Sequence, residues 1–163
     1  KKPRRKDFNE GNFIIKQWLK HPLFHESSPD DILNSWSGKF TFVKEDIEKG
    51  INGLRPPQIG ALFSILAHEQ NAEERGIVVM PTGTGKTETM LSTLIANECK
   101  KLLVAVPSDS LRTQISEKFI SLGLLKEFGI VDESCLNPAV GIINQKFESD
   151  LYHVLILIHK SIL

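Results

Sequence analysis

The stretch GIVVMPTGTGKTETM, residues 76–90, limits the possible folds of this chain more than any other part of it. Its first five residues, 76–80, form a continuous apolar run that predicts a buried strand, and a helical pattern begins directly after the turn. Gly83 and Gly85 can adopt backbone conformations that other residues avoid, so successive N–H groups of the turn can point at one anion. A strand, a glycine-rich turn and a helix in this order predict a phosphate-binding loop.

The residue types in this loop predict a site for a nucleoside triphosphate with Mg²⁺. We expect Lys86 to reach the β- and γ-phosphates and the Thr87 hydroxyl to complete the shell of the metal ion. Lys86 and Thr87 are therefore the candidate catalytic residues, and Thr87 is the candidate Mg²⁺ ligand. The loop residues expected to bind the nucleotide are Thr82, Gly83, Thr84, Gly85, Lys86 and Thr87. Met80 stands where the strict loop pattern has glycine, but it lies at the end of the predicted strand, where this matters little.

Strands and helices alternate around this loop. Further apolar runs predict buried strands at 101–106, 139–143 and 153–158. Helices are predicted before the loop in PPQIGALFSILAHEQ, after it in KTETMLSTLIANECK, and in SDSLRTQISEKFISLGL. The first of these places Ile59, Leu62, Phe63 and Leu66 on one face, and Ser108 or Asp109 is expected to cap the last. Strands that are apolar throughout are typical of an α/β fold with a parallel sheet covered by helices on both faces.

The pattern of the first 50 residues differs from that of the rest. A short helix is predicted within 13–24, and a second helix within 27–36 has Ser28 or Asp30 near its start. Residues 39–43 alternate between apolar and polar side chains like a short strand. We therefore expect a small accessory segment that packs on a main domain.

Charge is balanced overall, with 20 basic and 20 acidic residues, but it is unevenly distributed. Residues 1–6, KKPRRK, hold five of the basic residues and leave 15 basic against 20 acidic residues in the remainder. A body with that balance has no broad basic face, so nucleic acid must be bound locally, by a groove or by the basic run. The run is interpreted as a solvated tail in preference to a binding arm. The predicted division is a basic tail with the accessory helical segment at 1–50 and the nucleotide-binding domain at 51–163.

Two observations bear on the compartment. No apolar run reaches the length needed to cross a bilayer. Cys99 and Cys135 fit neither the spacing of a metal site nor a disulfide framework, which favours free thiols in a reducing cell interior. We therefore expect a cytoplasmic protein without a membrane partner.

Three ordered motifs, LRPPQ at 54–58, MPTGTGKT at 80–87 and VPSDSLRTQ at 106–114, resemble those of the superfamily 2 helicases and translocases. They are most similar to the DEAD/DEAH-like group that includes type III restriction endonuclease subunits, and the resemblance covers about 52–163. It implies the first RecA-like domain of an ATP hydrolase that moves along nucleic acid. ATP and Mg²⁺ are the implied cofactors. DNA is favoured over RNA as the partner, with a nuclease domain or partner as a further option.

The resemblance also implies roles for residues outside the loop. Gln58 is expected to select ATP, with Arg55 nearby, because its amide offers the donor and acceptor that match adenine. Ser108 and Arg112 are expected to touch the sugar-phosphate backbone of the strand. The segment HVLILIHKSIL suggests further contacts with nucleic acid through His159 and Lys160. The alternative for Gln58 is a side chain that faces water. The alternative for Ser108 and Arg112 is an ordinary capped helix without a nucleic-acid contact.

Residues 128–134, FGIVDES, resemble the acidic box of these enzymes, but we do not assign them to it. Their apolar run is too short for a central strand, and HVLILIHKSIL resembles a motif that precedes that box. The chain is therefore expected to stop short of the catalytic carboxylates and to lack the second RecA-like domain. We expect such a truncated piece to be inactive alone, although the full-length protein is expected to hydrolyse ATP.

Two other classes of function remain open from the sequence. A small kinase or another P-loop enzyme needs an arginine-rich lid, and Arg112 is the only arginine after Thr87. A non-catalytic module that responds to nucleotide or binds a partner would depend mainly on the first 50 residues.

Overall fold

The computed structural model describes residues 15–19, 27–71, 75–143 and 154–158. Their helices and strands, in chain order, are β1 (Ile15–Leu19), α1 (Pro29–Trp36), α2 (Pro56–Asn71), α3 (Lys86–Ala96), β2 (Leu102–Val106), α4 (Asp109–Ser121), β3 (Val140–Ile143) and β4 (Val154–Ile158). The chain divides into two compact units. The sheet unit comprises Lys1–Asn34, Lys100–Leu122 and Leu136–Leu163, and the loop unit comprises Ser35–Cys99 and Gly123–Cys135.

The sheet unit contains four strands in the order β1-β3-β4-β2. β4 pairs in parallel with both β2 and β3, whereas β1 pairs antiparallel with β3. The predicted strands at 101–106, 139–143 and 153–158 are therefore found as β2, β3 and β4. Helices on both faces of a parallel sheet remain a prediction.

Helix α4 packs against β2, β3 and β4 and supplies the buried Phe119. It begins after Ser108, whose hydroxyl accepts a hydrogen bond from the Leu111 N–H at 3.3 Å. It ends at Leu122, whose backbone is left-handed with φ of 61°. Ser108 is therefore the N-cap, one of the two residues predicted for that position.

Helix α1 also begins as the sequence predicts. The Ser28 hydroxyl accepts a hydrogen bond from the Asp31 N–H at 3.1 Å. The Asp31 carboxylate in return accepts from the Ser28 N–H at 3.1 Å, so each residue satisfies a free donor of the other. The hydrogen bonds from Ser28 hold the pKa of the Asp31 carboxyl below its usual value.

The loop unit is built on the packing of α2 against α3. Leu62 of α2 and Leu91 and Leu94 of α3 are fully buried. Phe63, predicted on the same face of α2 as Leu62, is 55% exposed. Its ring stacks on that of Phe42 with centroids 4.7 Å apart. The contact with Phe42 replaces burial in the core for this side chain.

The segment that precedes α2 is fixed by hydrogen bonds to its own backbone. The Leu54 N–H donates to the carbonyl of Val43 at 2.7 Å, and the Glu45 N–H donates to the carbonyl of Leu54 at 3.0 Å. Asp46 and Ile51 exchange a pair of backbone hydrogen bonds of 2.9 Å each. These bonds close the loop at 43–54 and set the direction in which the chain enters the LRPPQ motif.

Three sequence predictions of local structure are wrong. Residues 76–80 form no strand, because no strand of the described residues pairs with them and Ile77 and Val79 are 88% and 87% exposed. Residues 15–19, inside the helix predicted at 13–24, form β1 because they pair with β3. In place of the strand at 39–43 there is a single bridge between Phe40 and Val131.

Candidate functional site

The turn between Met80 and α3 has the backbone of a phosphate-binding loop. Gly83 and Gly85 have φ of 82° and 86°, in the left-handed region that favours glycine. Gly85 is the N-cap of α3 and makes no side-chain capping bond. The start of a helix presents backbone N–H groups and a positive dipole end, which suit an anion. Lys86 and Thr87 are the first two residues of that helix. The glycines and the helix start therefore suit phosphate oxygens.

The carbonyl of Pro81 is the point on which the donors of this loop converge. It accepts from the Thr84 hydroxyl at 2.7 Å, from the Lys86 ammonium at 2.9 Å and from the Thr84 N–H at 3.4 Å. The Lys86 side chain is exposed and has no role in the core. Phosphate oxygens can therefore take the place of the Pro81 carbonyl as the partner of Lys86 without disturbing packing.

Side chains outside the loop hold the carbonyls of the two glycines. The Arg55 guanidinium donates through Nη1 to the Gly83 carbonyl at 3.0 Å. The Gly85 carbonyl accepts from Gln58 Nε2 at 3.1 Å, from the Thr89 hydroxyl at 3.2 Å and from the Thr89 N–H at 3.0 Å. Arg55 and Gln58 of the LRPPQ motif thus lie against the loop.

Gln58 is almost completely buried, with 4% of its surface exposed. Its Oε1 accepts a hydrogen bond from the Arg55 N–H at 2.8 Å, while Nε2 donates to Gly85. A Cβ added at Gly85 would collide with the Gln58 amide. Both halves of this amide therefore have backbone partners, and Gly85 needs to be glycine for contact as well as for backbone conformation.

The other predicted site residues have more varied surroundings. Thr82 is exposed and Thr87 is half-buried beside the loop. Ser108 caps α4 in the sheet unit, and the Arg112 side chain is 14% exposed with Nη2 3.0 Å from the Asp109 carboxylate. Burial and this ion pair limit what Arg112 can offer to a phosphate. The predicted contacts of residues 159–160, His159 and Lys160, lie outside the described residues.

The acidic pair Asp132 and Glu133 lies in a turn and follows no strand. The Asp132 carboxylate accepts hydrogen bonds from the hydroxyl and the N–H of Ser134, the latter at 2.9 Å. These bonds hold the pKa of the Asp132 carboxyl below its usual value, and the charged carboxylate stabilises the turn. The geometry agrees with leaving FGIVDES out of the catalytic machinery.

Two further residues, Pro81 and Thr89, contact the loop and are not predicted from the sequence. Pro81 supplies the carbonyl that binds Lys86, and backbone acceptors carry no signal in a sequence. Thr89, 4% exposed, bonds to the carbonyl four residues before it. A threonine in the first turns of a helix can make this bond, so its position four residues after Gly85 was a usable signal.

Both cysteines belong to the loop unit and are free thiols. Burial raises the pKa of the Cys99 thiol to about 11, and the negative charge of Glu69 adds to the effect. Burial also raises the pKa of Cys135, whose Sγ lies 3.3 Å from the Ser35 carbonyl. Within the described residues, no cluster of three or more His, Cys, Asp or Glu side chains is suited to a metal ion.

Comparisons with known proteins complete the description. The family model for the type III restriction enzyme, res subunit, matches residues 52–161. The match includes all three motifs, so the resemblance inferred from them is confirmed. Comparison with curated proteins and with solved structures gave no match. None of the helices in the described ranges combines the length and apolar character needed to cross a membrane.

Proposed function

Because the chain belongs to the family of type III restriction enzyme res subunits, a family of helicase superfamily 2 N-terminal domains, we propose that it provides the ATP-binding part of a nucleic-acid motor. This family has a RecA-like fold and is associated with ATP-hydrolysing, helicase-like enzymes. The proposed activity is that of a helicase or translocase that couples ATP hydrolysis to movement along DNA or RNA, with DNA favoured. Closure of a second RecA-like domain on the nucleotide would drive that movement.

The observation that carries the proposal is the loop geometry. Two left-handed glycines lead directly into α3, whose first residue is the lysine that such a loop requires. The donors of Thr84 and Lys86 already meet at one acceptor, the Pro81 carbonyl. A phosphate oxygen has the same hydrogen-bonding character as that carbonyl and carries negative charge in addition.

In the proposed site, the N–H groups from Thr82 to Gly85 and the start of α3 bind the phosphates. The Lys86 ammonium binds the β- and γ-phosphates, and the Thr87 hydroxyl binds Mg²⁺. Mg²⁺, when bound, neutralises charge on the phosphate oxygens. Arg55 and Gln58 complete the site from the side of the LRPPQ motif.

The test is a calorimetric titration of Mg·ATP into the wild type and Lys86→Ala. We expect the wild type to bind and the variant to lose binding, because the variant lacks the ammonium proposed to bind the β- and γ-phosphates. The variant should keep the wild-type thermal unfolding midpoint, since its side chain is exposed. Equal ATP affinities for the two proteins would refute the assignment of the loop.

Nucleic acid is proposed to contact the sheet unit after β2, at Ser108 and the start of α4, with Arg112, His159 and Lys160 as further candidates. Outside residues 1–6 the chain has 15 basic against 20 acidic residues, so we expect few phosphate contacts. The slope of log K against log salt should then be shallow, about −2 to −4. Deleting residues 1–6 is the control. Complete loss of binding in that deletion would transfer the contact to the basic tail and remove Ser108 from it.

A further inference from the structure

The LRPPQ motif makes two hydrogen bonds of the same kind, each from a side-chain donor to the carbonyl of a loop glycine. Arg55 Nη1 binds the carbonyl of Gly83 at 3.0 Å, and Gln58 Nε2 binds that of Gly85 at 3.1 Å. We propose that Arg55 and Gln58 are positioning residues, which prepare the loop for the phosphates by fixing the orientation of these two peptide groups. The inference rests on the proposed ATP site and concerns how that site recognises its ligand.

The mechanism follows from the planarity of the peptide bond. In a trans peptide the carbonyl of one residue and the N–H of the next point in opposite directions within one plane. Fixing the Gly83 carbonyl therefore fixes the direction of the Thr84 N–H, and fixing the Gly85 carbonyl fixes that of the Lys86 N–H. Both N–H groups belong to the part of the loop that would face a phosphate.

Glycine makes such anchoring necessary. Gly83 and Gly85 have φ of 82° and 86°, and glycine populates conformations on both sides of zero with similar ease. Without external hydrogen bonds these peptide groups can rotate, and the loop loses the alignment of its donors. Gln58 is only 4% exposed, so water does not compete for its hydrogen bond to the Gly85 carbonyl.

The same contacts occupy one donor and one acceptor of the Gln58 amide. Recognition of adenine requires a free donor and a free acceptor on the amide. Here Oε1 accepts from the Arg55 N–H at 2.8 Å and Nε2 donates to the Gly85 carbonyl. A second N–H of Nε2 and a second lone pair of Oε1 remain, on a side chain that is 4% exposed. The geometry thus gives Gln58 a contact on the phosphate side of the site, and the selection of ATP expected of it remains a prediction.

Inorganic tripolyphosphate separates the two roles because it has the phosphates of ATP and no base. Calorimetry with Mg·ATP and with Mg·tripolyphosphate is carried out on the wild type, Gln58→Met and Arg55→Lys. Methionine keeps the volume of glutamine without its hydrogen bonds, and lysine keeps the positive charge without the guanidinium geometry. Each variant should weaken the binding of both ligands by the same factor, about threefold to tenfold for the one hydrogen bond that it no longer makes to a glycine carbonyl.

Gln70→Ala is the matched control, since Gln70 lies exposed on the same helix. It should bind both ligands as the wild type does, and all variants should keep the wild-type circular dichroism spectrum. Weaker ATP binding with unchanged tripolyphosphate binding in Gln58→Met would overturn the proposal and restore a base-reading role. A wild type that binds ATP but not tripolyphosphate would overturn it too, because a prepared loop must recognise phosphates alone. A wild type that binds neither ligand would overturn the ATP site itself.

Discussion

Alanine at Gly85 should destabilise the loop unit more than alanine at Gly83, although the two glycines have almost the same backbone. Their φ values are 86° and 82°, and a left-handed conformation costs a residue with a Cβ about 1 to 2 kcal/mol. At Gly83 this is the whole cost, because nothing lies within 4 Å of the added Cβ. Gly83→Ala should therefore lower the free energy of unfolding by about 1 to 2 kcal/mol.

At Gly85 the added Cβ also collides with the Gln58 amide. Gln58 must move away, which leaves its buried Nε2 without the Gly85 carbonyl. This unsatisfied donor lowers the free energy of unfolding by about a further 1 to 3 kcal/mol. The total expected for Gly85→Ala is then roughly 2 to 5 kcal/mol. Helix content followed by circular dichroism during urea unfolding gives both free energies.

A double variant identifies the source of the difference. When Gln58→Ala is already present, the Cβ at residue 85 has no amide to displace. Gly85→Ala should then cost no more than Gly83→Ala does in the same background. If the two glycine substitutions are equally destabilising in the wild-type background, the contact between Gln58 and Gly85 has no energetic importance and the reasoning fails.

Three further predictions concern the metal, the acidic turn and the thiols. Thr87→Ala should remove the increase in ATP affinity that Mg²⁺ gives and leave the affinity in EDTA unchanged; a variant that still responds to Mg²⁺ would exclude Thr87 as its ligand. Asp132→Asn and Glu133→Gln should leave ATP affinity unchanged by calorimetry, because the Asp132 carboxylate is bonded to its own turn; weaker binding in either would return FGIVDES to the site. The pKa of Cys99 is about 11 against an ordinary 9.0, so its thiolate fraction at pH 8 should be about 100-fold lower than that of a free thiol. In a Cys135→Ser background, the rate of its alkylation should therefore rise with pH up to that pKa. Rapid alkylation of the folded protein at pH 8 would contradict its burial.

The parts of the fold that could be predicted from the sequence depend on local patterns. Apolar runs located β2, β3 and β4, and Ser108 located the start of α4, since capping and hydrophobic periodicity act over a few residues. Pairing between distant segments could not be predicted in this way. Residues 15–19 have a helical pattern yet pair with β3, and apolar residues 76–80 find no partner strand among the described residues.

The site shows the same division. The two glycines, Lys86 and Thr87 could be proposed as site residues from the sequence because the loop motif is contiguous. The motif predicts that Gln58 lies near the base of the nucleotide, which stays a prediction; in the structure Gln58 is bonded to Gly85 of the loop. Sequence could not indicate which group would occupy each half of the Gln58 amide, because the Arg55 N–H and the Gly85 carbonyl are backbone groups.

The anchors of the loop also determine when it can form during folding. The bonds from Arg55 to Gly83 and from Gln58 to Gly85 join residues 28 and 27 positions apart. Helices α2 and α3 can begin to form from local contacts, but these bonds require closure of the chain between them, which costs entropy before any contact is gained. During refolding we therefore expect helix content to recover before the ability to bind ATP. A nascent chain would therefore acquire the proposed ATP site only after both helices have met.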